Sequence, residues 1–310
     1  MFSVIFPGQG SQSVGMTKEL YDKYDYIKEL FKSADDTLGY SISKIILEGP
    51  KENLDLTENT QPAIFLASYS IFEMIKKESN LNLNKAKYFA GHSLGEYSAL
   101  ALSGSLNFQD ALKLLNERGR AMQAAVPKGT GGMIAVLGID IKEINNLLED
   151  NKENCKCYIA NDNSNGQIVL SGLNQDIDKF IDILKTKKIK NIKLPVSAPF
   201  HCKLMDKATS IMSNKINNTK FEKPKSPIIS NVTGQETHQI EKIKDLLIKQ
   251  IESPVRWRES VIYMIKNGVS NFIEIGPGKV LSGLVKRIDK TINVNSINKL
   301  ENLTDIKLND

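Results

Sequence analysis

The sequence has few of the residues that would indicate a disulfide-rich, metal-binding or membrane protein. Its 310 residues include only three cysteines, too few for a disulfide framework. Cys155 and Cys157 are separated by a single residue, which is not the usual spacing of zinc ligands. No stretch approaches the roughly 18 consecutive apolar residues that a membrane-spanning helix requires. We therefore expect no metal site and no association with a membrane.

Excess charge of one sign is also small. The chain has 41 basic and 36 acidic residues, so its net charge is +5. Such a mild excess is typical of a lysine-rich, solvated surface and does not favour nucleic-acid binding, although it suits an acidic protein partner. Residues 1–7 lack the basic region of a signal peptide and look like a buried strand. We expect the protein in the cytoplasm, or in an organelle after loss of a leader.

Apolar strands and amphipathic helices alternate along most of the chain, which predicts an α/β fold with a parallel sheet and helices on its faces. Residues 17–38 have helical spacing. A second helix is predicted at 62–78, because Pro62 is a residue type common near helix starts. The polar tail from Asn295 onward is expected to fray.

The middle of the chain has a different order of elements. Between residues 133 and 196 the pattern is β-α-β-β-α-β, with Asp140 as the cap of the first helix. This is the ferredoxin-like order. We predict a ferredoxin-like subdomain at 127–198, inserted into a core formed by residues 1–126 and 199–310.

A G-x-S-x-G motif at residues 91–95 lies between an apolar strand and a helix, the setting of a nucleophile elbow. The turn would lift the hydroxyl of Ser93 to the end of the sheet. It would also leave the amide of Leu94 free at a helix N-terminus, where it can stabilise an oxyanion. The alternative is an ordinary glycine-rich helix start with Ser93 as the cap. We take Ser93 as the candidate nucleophile.

A serine nucleophile needs a base, and only three histidines are available. His92 should point to the opposite side of the turn, where it would pack or hydrogen-bond beneath the elbow. His238 lies in a polar turn and is expected at the surface. His201 follows a strand in a proline-rich loop that can reach a cleft, so elimination favours it as the base. No acidic residue stands out as its orienting partner, which leaves a backbone carbonyl or an amide side chain.

Six motifs occur in order along the chain: GQGSQ at 8–12, TQPA at 60–63, GHSLGEY at 91–97, RGRAMQ at 118–123, PFH at 199–201 and EIGPG at 274–278. With them the sequence resembles the malonyl-CoA:acyl carrier protein transacylases of type II fatty acid synthesis. It is similar too to the acyltransferase domains of polyketide synthases. The likeness runs from residue 2 to about residue 295 and implies an α/β-hydrolase-like core with a ferredoxin-like insert.

The resemblance implies a role for individual residues. Ser93 would carry the acyl ester and His201 would be its base. The backbone amides of Gln9 and Leu94 would form the oxyanion hole. Arg118 would bind the malonyl carboxylate, which a guanidinium can hold with two parallel hydrogen bonds. Spacing alone would instead make Arg118 a solvated helix residue, as we expect for its neighbour Arg120.

Three further residues enter through the same resemblance. The backbone carbonyl of Gln250 would orient His201, and Gln61 and Asn161 would line the pocket. Gln250 precedes a stretch in which Ser253 replaces the asparagine of the family's NPVxW pattern.

The activity implied by the resemblance is malonyl-CoA:acyl carrier protein S-malonyltransfer, which supplies fatty acid biosynthesis. A malonyl group would pass from coenzyme A to Ser93, and from Ser93 to the 4′-phosphopantetheine thiol of acyl carrier protein. The implied partners are this carrier, which is typically acidic, and the coenzyme A thioester. We expect a monomer that needs no metal or redox cofactor.

Three alternatives stay open. A serine hydrolase such as a thioesterase uses the same elbow, but usually in the order Ser, Asp, His, and it has no need of an arginine in the pocket. An acyltransferase could be selective for another acyl group, such as methylmalonyl or acetyl. A non-catalytic docking scaffold is disfavoured by the retention of Ser93 and His201.

Overall fold

The computed structural model describes residues 1–127, 129–196 and 198–303, which form two sheets with helices around them. The described residues form ten strands: β1 (Phe2–Phe6), β2 (Phe89–Gly91), β3 (Gly131–Leu137), β4 (Cys157–Ser164), β5 (Gln167–Leu173), β6 (Lys190–Lys193), β7 (Ile228–Ile229), β8 (Glu236–Thr237), β9 (Asn271–Ile275) and β10 (Asn293–Ile297). They form thirteen α-helices: α1 (Lys18–Lys23), α2 (Asp25–Leu38), α3 (Ile42–Glu48), α4 (Lys51–Leu54), α5 (Thr57–Glu78), α6 (Gly95–Leu102), α7 (Phe108–Ala124), α8 (Ile141–Asp150), α9 (Asn174–Thr186), α10 (Asp206–Asn218), α11 (Ile240–Gln250), α12 (Trp257–Lys266) and α13 (Val280–Ile288). None of these helices is long and apolar enough to cross a membrane.

The larger sheet has the strand order β10-β9-β1-β2-β7-β8, and all its pairs are parallel except β7–β8. Four of the five residues of β1 are buried, as expected for a parallel strand covered on both faces. β1 and β2 end side by side, with Phe6 opposite Gly91. The loops that follow these two strands therefore meet at the carboxyl edge of the sheet, where open α/β sheets bind ligands.

The central helix α5 is buried over most of its length and packs against α7. It begins at Thr57, five residues before the predicted start, so Pro62 lies inside the helix. A proline lacks the N–H that would bond the carbonyl four residues earlier. Here the Glu58 carbonyl instead accepts from Nδ2 of Asn116 on α7, at 3.0 Å. This substitute hydrogen bond explains why the helix continues through the proline.

The smaller sheet has the antiparallel order β4-β5-β3-β6, the order of a ferredoxin-like fold, and α8 and α9 pack on one of its faces. Asp140 caps α8 in a capping box with Glu143. The predicted fold class, an α/β core with a small inserted subdomain, is confirmed. The boundaries 127–198 stay a prediction; the strands of the smaller sheet run from Gly131 to Lys193.

The edge strand β4 joins the two parts of the molecule. The amide of Val255 donates to the Ala160 carbonyl at 2.8 Å, and the amide of Asp162 donates to the Val255 carbonyl at 2.9 Å. Arg258 on α12 adds an ion pair with Asp162 at 2.8 Å. These contacts fix the small subdomain against the core beside the loops that follow β1 and β2.

Besides the start of α5, two predictions about elements were wrong, and one helix was missed. Residues 17–38 form two helices rather than one, because Tyr24 has an extended backbone between α1 and α2. The chain beyond Asn295 does not fray at once, since Asn293–Ile297 is strand β10 and pairs with β9. Helix α10 was not predicted from its polar sequence, although it buries three apolar side chains.

Candidate active site

The turn from β2 to α6 holds Ser93 in a left-handed backbone conformation, with φ of 54°. Non-glycine residues rarely adopt this conformation, and it persists where neighbouring groups fix it. The amide of Ser93 donates to Oδ1 of Asn231 at 2.7 Å, and Nδ2 of Asn231 donates to the Gly91 carbonyl at 2.7 Å. Gly95 is required because a Cβ there would lie 2.3 Å from the Phe6 carbonyl oxygen. The local geometry is that of a nucleophile elbow.

His201 lies against Ser93, with 2.8 Å between its Nε2 and the serine Oγ. Its Nδ1 lies 2.9 Å from the backbone carbonyl of Gln250. A carbonyl only accepts hydrogen bonds, so Nδ1 carries the proton and Nε2 is free to accept from the hydroxyl. The imidazole is 4% exposed, and its burial, followed by the charge of Arg118, lowers its pKa to about 3. It is therefore neutral near pH 7, as a base must be.

Arg118 projects from α7 into the same site and is 1% exposed. Its Nη1 donates to Oε1 of Gln61 at 2.8 Å. Its Nη2 donates to Oε1 of Gln250 at 2.8 Å and to Oγ of Ser93 at 3.1 Å. All three acceptors are uncharged, and burial lowers the pKa of the guanidinium. A solvated position is excluded for Arg118, whereas Arg120 is exposed and pairs with Glu58 at 3.4 Å.

A cavity of about 430 Å³ lies above Ser93. Seven of the residues predicted for the site line it: Gln9, Gln61, Ser93, Leu94, Arg118, Asn161 and His201. Gln250 is fully buried and contacts His201 and Arg118 from behind. The structure thus brings all eight predicted residues together. The catalytic, oxyanion and binding roles assigned to them stay predictions.

The other two histidines lie away from the serine hydroxyl. His92 borders the cavity, but its Nε2 lies 2.8 Å from Oδ1 of Asn163, and its ring is 5.8 Å from the ring of Trp257. Burial lowers the pKa of His92. His238 is exposed just after β8.

Sequence reasoning missed two residues that support the elbow, Asn231 and Glu96. Asn231 bonds both the Ser93 amide and the Gly91 carbonyl of the turn, as described above. Glu96, in the first turn of α6, accepts from the Asn231 amide at 3.1 Å and from Nε2 of Gln250 at 2.7 Å. Burial raises the pKa of Glu96 to about 7, against the effect of these hydrogen bonds and of Arg118. The available signal was a carboxylate within an otherwise apolar helix sequence.

Comparisons with known proteins identify the family of the chain. The profile of the acyl transferase domain matches residues 3–303. The malonyl CoA-acyl carrier protein transacylase of Haemophilus influenzae is 40% identical over 298 residues, which are 96% of this chain and 95% of that protein. The crystal structure of an acyl-carrier-protein-S-malonyltransferase from Bartonella henselae superposes with a TM-score of 0.95 at 40% identity, covering 98% of this chain and 97% of that one.

A further solved structure contains a type II polyketide synthase acyl carrier protein in complex with its malonyl transacylase. It matches with a TM-score of 0.93 at 36% identity, covering 98% of this chain and 97% of that one. The resemblance inferred from the six motifs is confirmed by these matches. The chain belongs to the acyl transferase domain family.

Proposed function

We propose that this protein is a malonyl-CoA:acyl carrier protein S-malonyltransferase that works through an ester on Ser93. The observation that carries the proposal is the buried guanidinium of Arg118, whose Nη2 lies 3.1 Å from the serine Oγ. Among the described residues, its three hydrogen-bond acceptors are uncharged, and a buried cation in such a setting is unfavourable unless an anion meets it. An acyl group that ends in a carboxylate supplies that anion beside the nucleophile.

In the first half-reaction, Nε2 of His201 takes the proton of Ser93 as Oγ attacks the thioester carbonyl. Gln9 and Leu94 line the cavity, and in this proposal their backbone amides stabilise the oxyanion that forms. When the tetrahedral intermediate collapses, the C–S bond breaks and the proton on His201 passes to the coenzyme A sulfur. The malonyl group is left as an ester on Ser93.

In the second half-reaction the acceptor is the phosphopantetheine thiol of acyl carrier protein. The thiol gives its proton to Nε2 of His201 and attacks the ester carbonyl. Collapse returns the proton to Ser93 and releases malonyl-carrier protein. The chain's net charge of +5 suits an acidic carrier. We further propose that the enzyme is a cytoplasmic monomer and that neither half-reaction needs a metal or redox cofactor.

The distinction from a hydrolase lies in the fate of the acyl-enzyme. We would isolate the malonyl-enzyme by rapid gel filtration and divide it between buffer, holo acyl carrier protein and apo acyl carrier protein, which lacks the thiol. Intact-protein mass spectrometry then follows the loss of the malonyl increment. The proposal predicts rapid loss only with the holo carrier. Equally rapid loss in buffer or with the apo carrier would identify a hydrolase instead.

A further inference from the structure

Glu96 occupies a position that the two half-reactions do not explain. Its carboxylate is 3% exposed, although burial of a charge is costly without good partners. One oxygen, Oε2, accepts both from the Asn231 amide at 3.1 Å and from Nε2 of Gln250 at 2.7 Å. Both donors are uncharged. The carboxylate is therefore placed as an acceptor for the Gln250 side chain, which also contacts the rest of the site.

The side chain of Gln250 is the link between Glu96 and Arg118. Its Nε2 donates to Glu96 and, at 3.1 Å, to the Ser93 carbonyl, while its Oε1 accepts from Nη2 of Arg118 at 2.8 Å. The two ends of an amide have nearly the same shape, so its orientation is decided by its partners. An acceptor at Glu96 requires the nitrogen on that side, and the oxygen then faces the guanidinium.

The orientation of this amide matters for Arg118. If the amide were reversed, its N–H groups would face the N–H groups of Nη2, and the guanidinium would lose one of the two side-chain amides that hold it. Gln61 would remain on Nη1. The fork would then be free to turn away from Ser93, which its Nη2 now contacts at 3.1 Å. A bidentate grip on a carboxylate depends on the plane of that fork.

We propose that Glu96 is a positioning residue that fixes the Gln250 amide, so that the amide oxygen holds Arg118 beside Ser93 for an acyl group bearing a carboxylate. The inference rests on the proposed function. It assigns to Glu96 an effect on acyl selectivity in addition to its support of the elbow through Asn231. His201 is oriented by the backbone carbonyl of Gln250, which does not depend on the direction of the side-chain amide.

Three substitutions separate the acceptor role from general stability. Glu96→Gln keeps an acceptor oxygen, Glu96→Met keeps the length without one, and Glu96→Asp withdraws the carboxylate by one methylene. The matched control is Glu274→Met. Glu274 is also buried and also accepts hydrogen bonds, but its donors are Leu281 and Ser282 of α13 and not residues of the site.

The readout is the ratio of malonyl-CoA to acetyl-CoA in acylation of Ser93, measured by intact mass, with melting temperature recorded for each protein. We expect Glu96→Met to lower the ratio by about tenfold or more, because the hydrogen bond between the Gln250 amide and the charged guanidinium of Arg118 is lost. Glu96→Gln should keep it within about threefold, and the control should lower stability without changing the ratio. In an Arg118→Ala background, Glu96→Met should change the ratio by less than about twofold, because both act through one contact.

Suppose that the wild-type enzyme prefers malonyl-CoA and that folded Glu96→Met keeps the same malonyl-to-acetyl ratio. That result would overturn the inference about Glu96 and leave the proposed function standing. If Glu96→Met does not fold, Glu96→Asp must lower the ratio in the same direction, and an unchanged ratio there has the same consequence. A full effect of Glu96→Met in the Arg118→Ala background would also overturn it. A wild-type enzyme that accepts acetyl-CoA as readily as malonyl-CoA would overturn the proposed function and this inference with it.

Discussion

At the scale of single residues, the site depends on backbone groups as much as on side chains. A carbonyl at Gln250 takes the place that a carboxylate has in many serine enzymes, and it fixes the tautomer of His201 without adding a charge. The imidazole is then flanked by a guanidinium rather than by an anion. This arrangement leaves the imidazole of His201 neutral over a wide pH range.

We expect His201→Ala to slow acylation of Ser93 by malonyl-CoA by about 10²–10⁴-fold, because a positioned general base is removed. Quenched-flow with intact-mass detection measures the rate. His92→Ala is the matched control, since its ring contacts Asn163 and Trp257 and not the serine hydroxyl. His92→Ala should lower the stability of the fold and leave the rate of Ser93 acylation nearly unchanged. Near-normal acylation by His201→Ala would refute the assignment of the base.

The low pKa of His201 gives a pH prediction. With a pKa of about 3 instead of its ordinary 6.5, the folded enzyme keeps a neutral base under mildly acidic conditions. Labelling of Ser93 by an uncharged sulfonyl fluoride should therefore be nearly constant from about pH 8 to about pH 5. The contribution of His201 to stability should fall as the pH decreases from 6.5 to about 3, because the unfolded chain takes up a proton that the folded one does not. Glu96, whose pKa is raised from 4.5 to about 7, contributes in the opposite direction between those two values. A labelling midpoint near the ordinary value would contradict this account.

The role of Arg118 shows the limit of what sequence can predict at this scale. Its spacing on an amphipathic helix is compatible with a solvated side chain. Its acceptors, Gln61 and Gln250, lie 57 and 132 residues away in sequence, so only tertiary packing brings them together. Arg118 was predicted from the resemblance to a family, whereas Ser93 was predicted from the strand, turn and helix that its local sequence indicates. Glu96 and Asn231 were missed for the same reason as the acceptors of Arg118.

At the scale of elements, the contact between α5 and α7 positions Arg118. Gly119, the next residue on α7, lies so close to α5 that a Cβ there would be 2.5 Å from the Thr57 carbonyl oxygen and 2.6 Å from Cα of Glu58. These are backbone atoms, which can move only if one helix moves from the other. The glycine therefore sets the separation of the two helices next to the arginine.

Gly119→Ala should destabilise the fold by about 1–3 kcal/mol, since overpacking outweighs the gain in helix propensity. Urea unfolding measures the change. Gly283→Ala on α13 is the matched control, because a Cβ there meets nothing within 4 Å. It should stabilise the protein by about 0.5–1 kcal/mol. Equal stability of Gly119→Ala and wild type would show that the helices are not fixed at this contact.

Elements with strong apolar patterns could be predicted from sequence, and weakly patterned ones could not. The buried strand expected within residues 1–7 is β1, and Asp140 caps α8 as expected. The predicted start of α5 was wrong because a tertiary hydrogen bond compensates for the proline inside the helix. Helix α10 and strand β10 are polar segments that are stabilised by packing against neighbouring elements. The pattern of apolar residues in the sequence does not predict such packing.

At the scale of the whole molecule, the cavity forms where the two sheets meet. The core contributes Ser93 and Arg118, and the small subdomain contributes Asn161 from β4, which is joined to the core through Val255. Ser93 and Arg118 come from different elements of the core, and Asn161 lines the cavity from the insert. The central claim about this assembled site is that Arg118 selects an acyl group bearing a carboxylate for transfer through Ser93.

The measurement that tests this claim most directly is the acylation of wild type, Arg118→Ala and Arg118→Lys by malonyl-CoA and by acetyl-CoA. Truncating one partner of a buried charge pair costs about 2–5 kcal/mol. Malonyl transfer by Arg118→Ala should therefore fall by about 30-fold or more, at about tenfold per 1.4 kcal/mol. Acetyl transfer should fall much less, and Arg118→Lys should recover part of the malonyl loss because it keeps the charge but not the fork. An equal decrease in the acylation rate with both substrates in Arg118→Ala would contradict the claim. It would show that Arg118 stabilises the fold and does not select the acyl group.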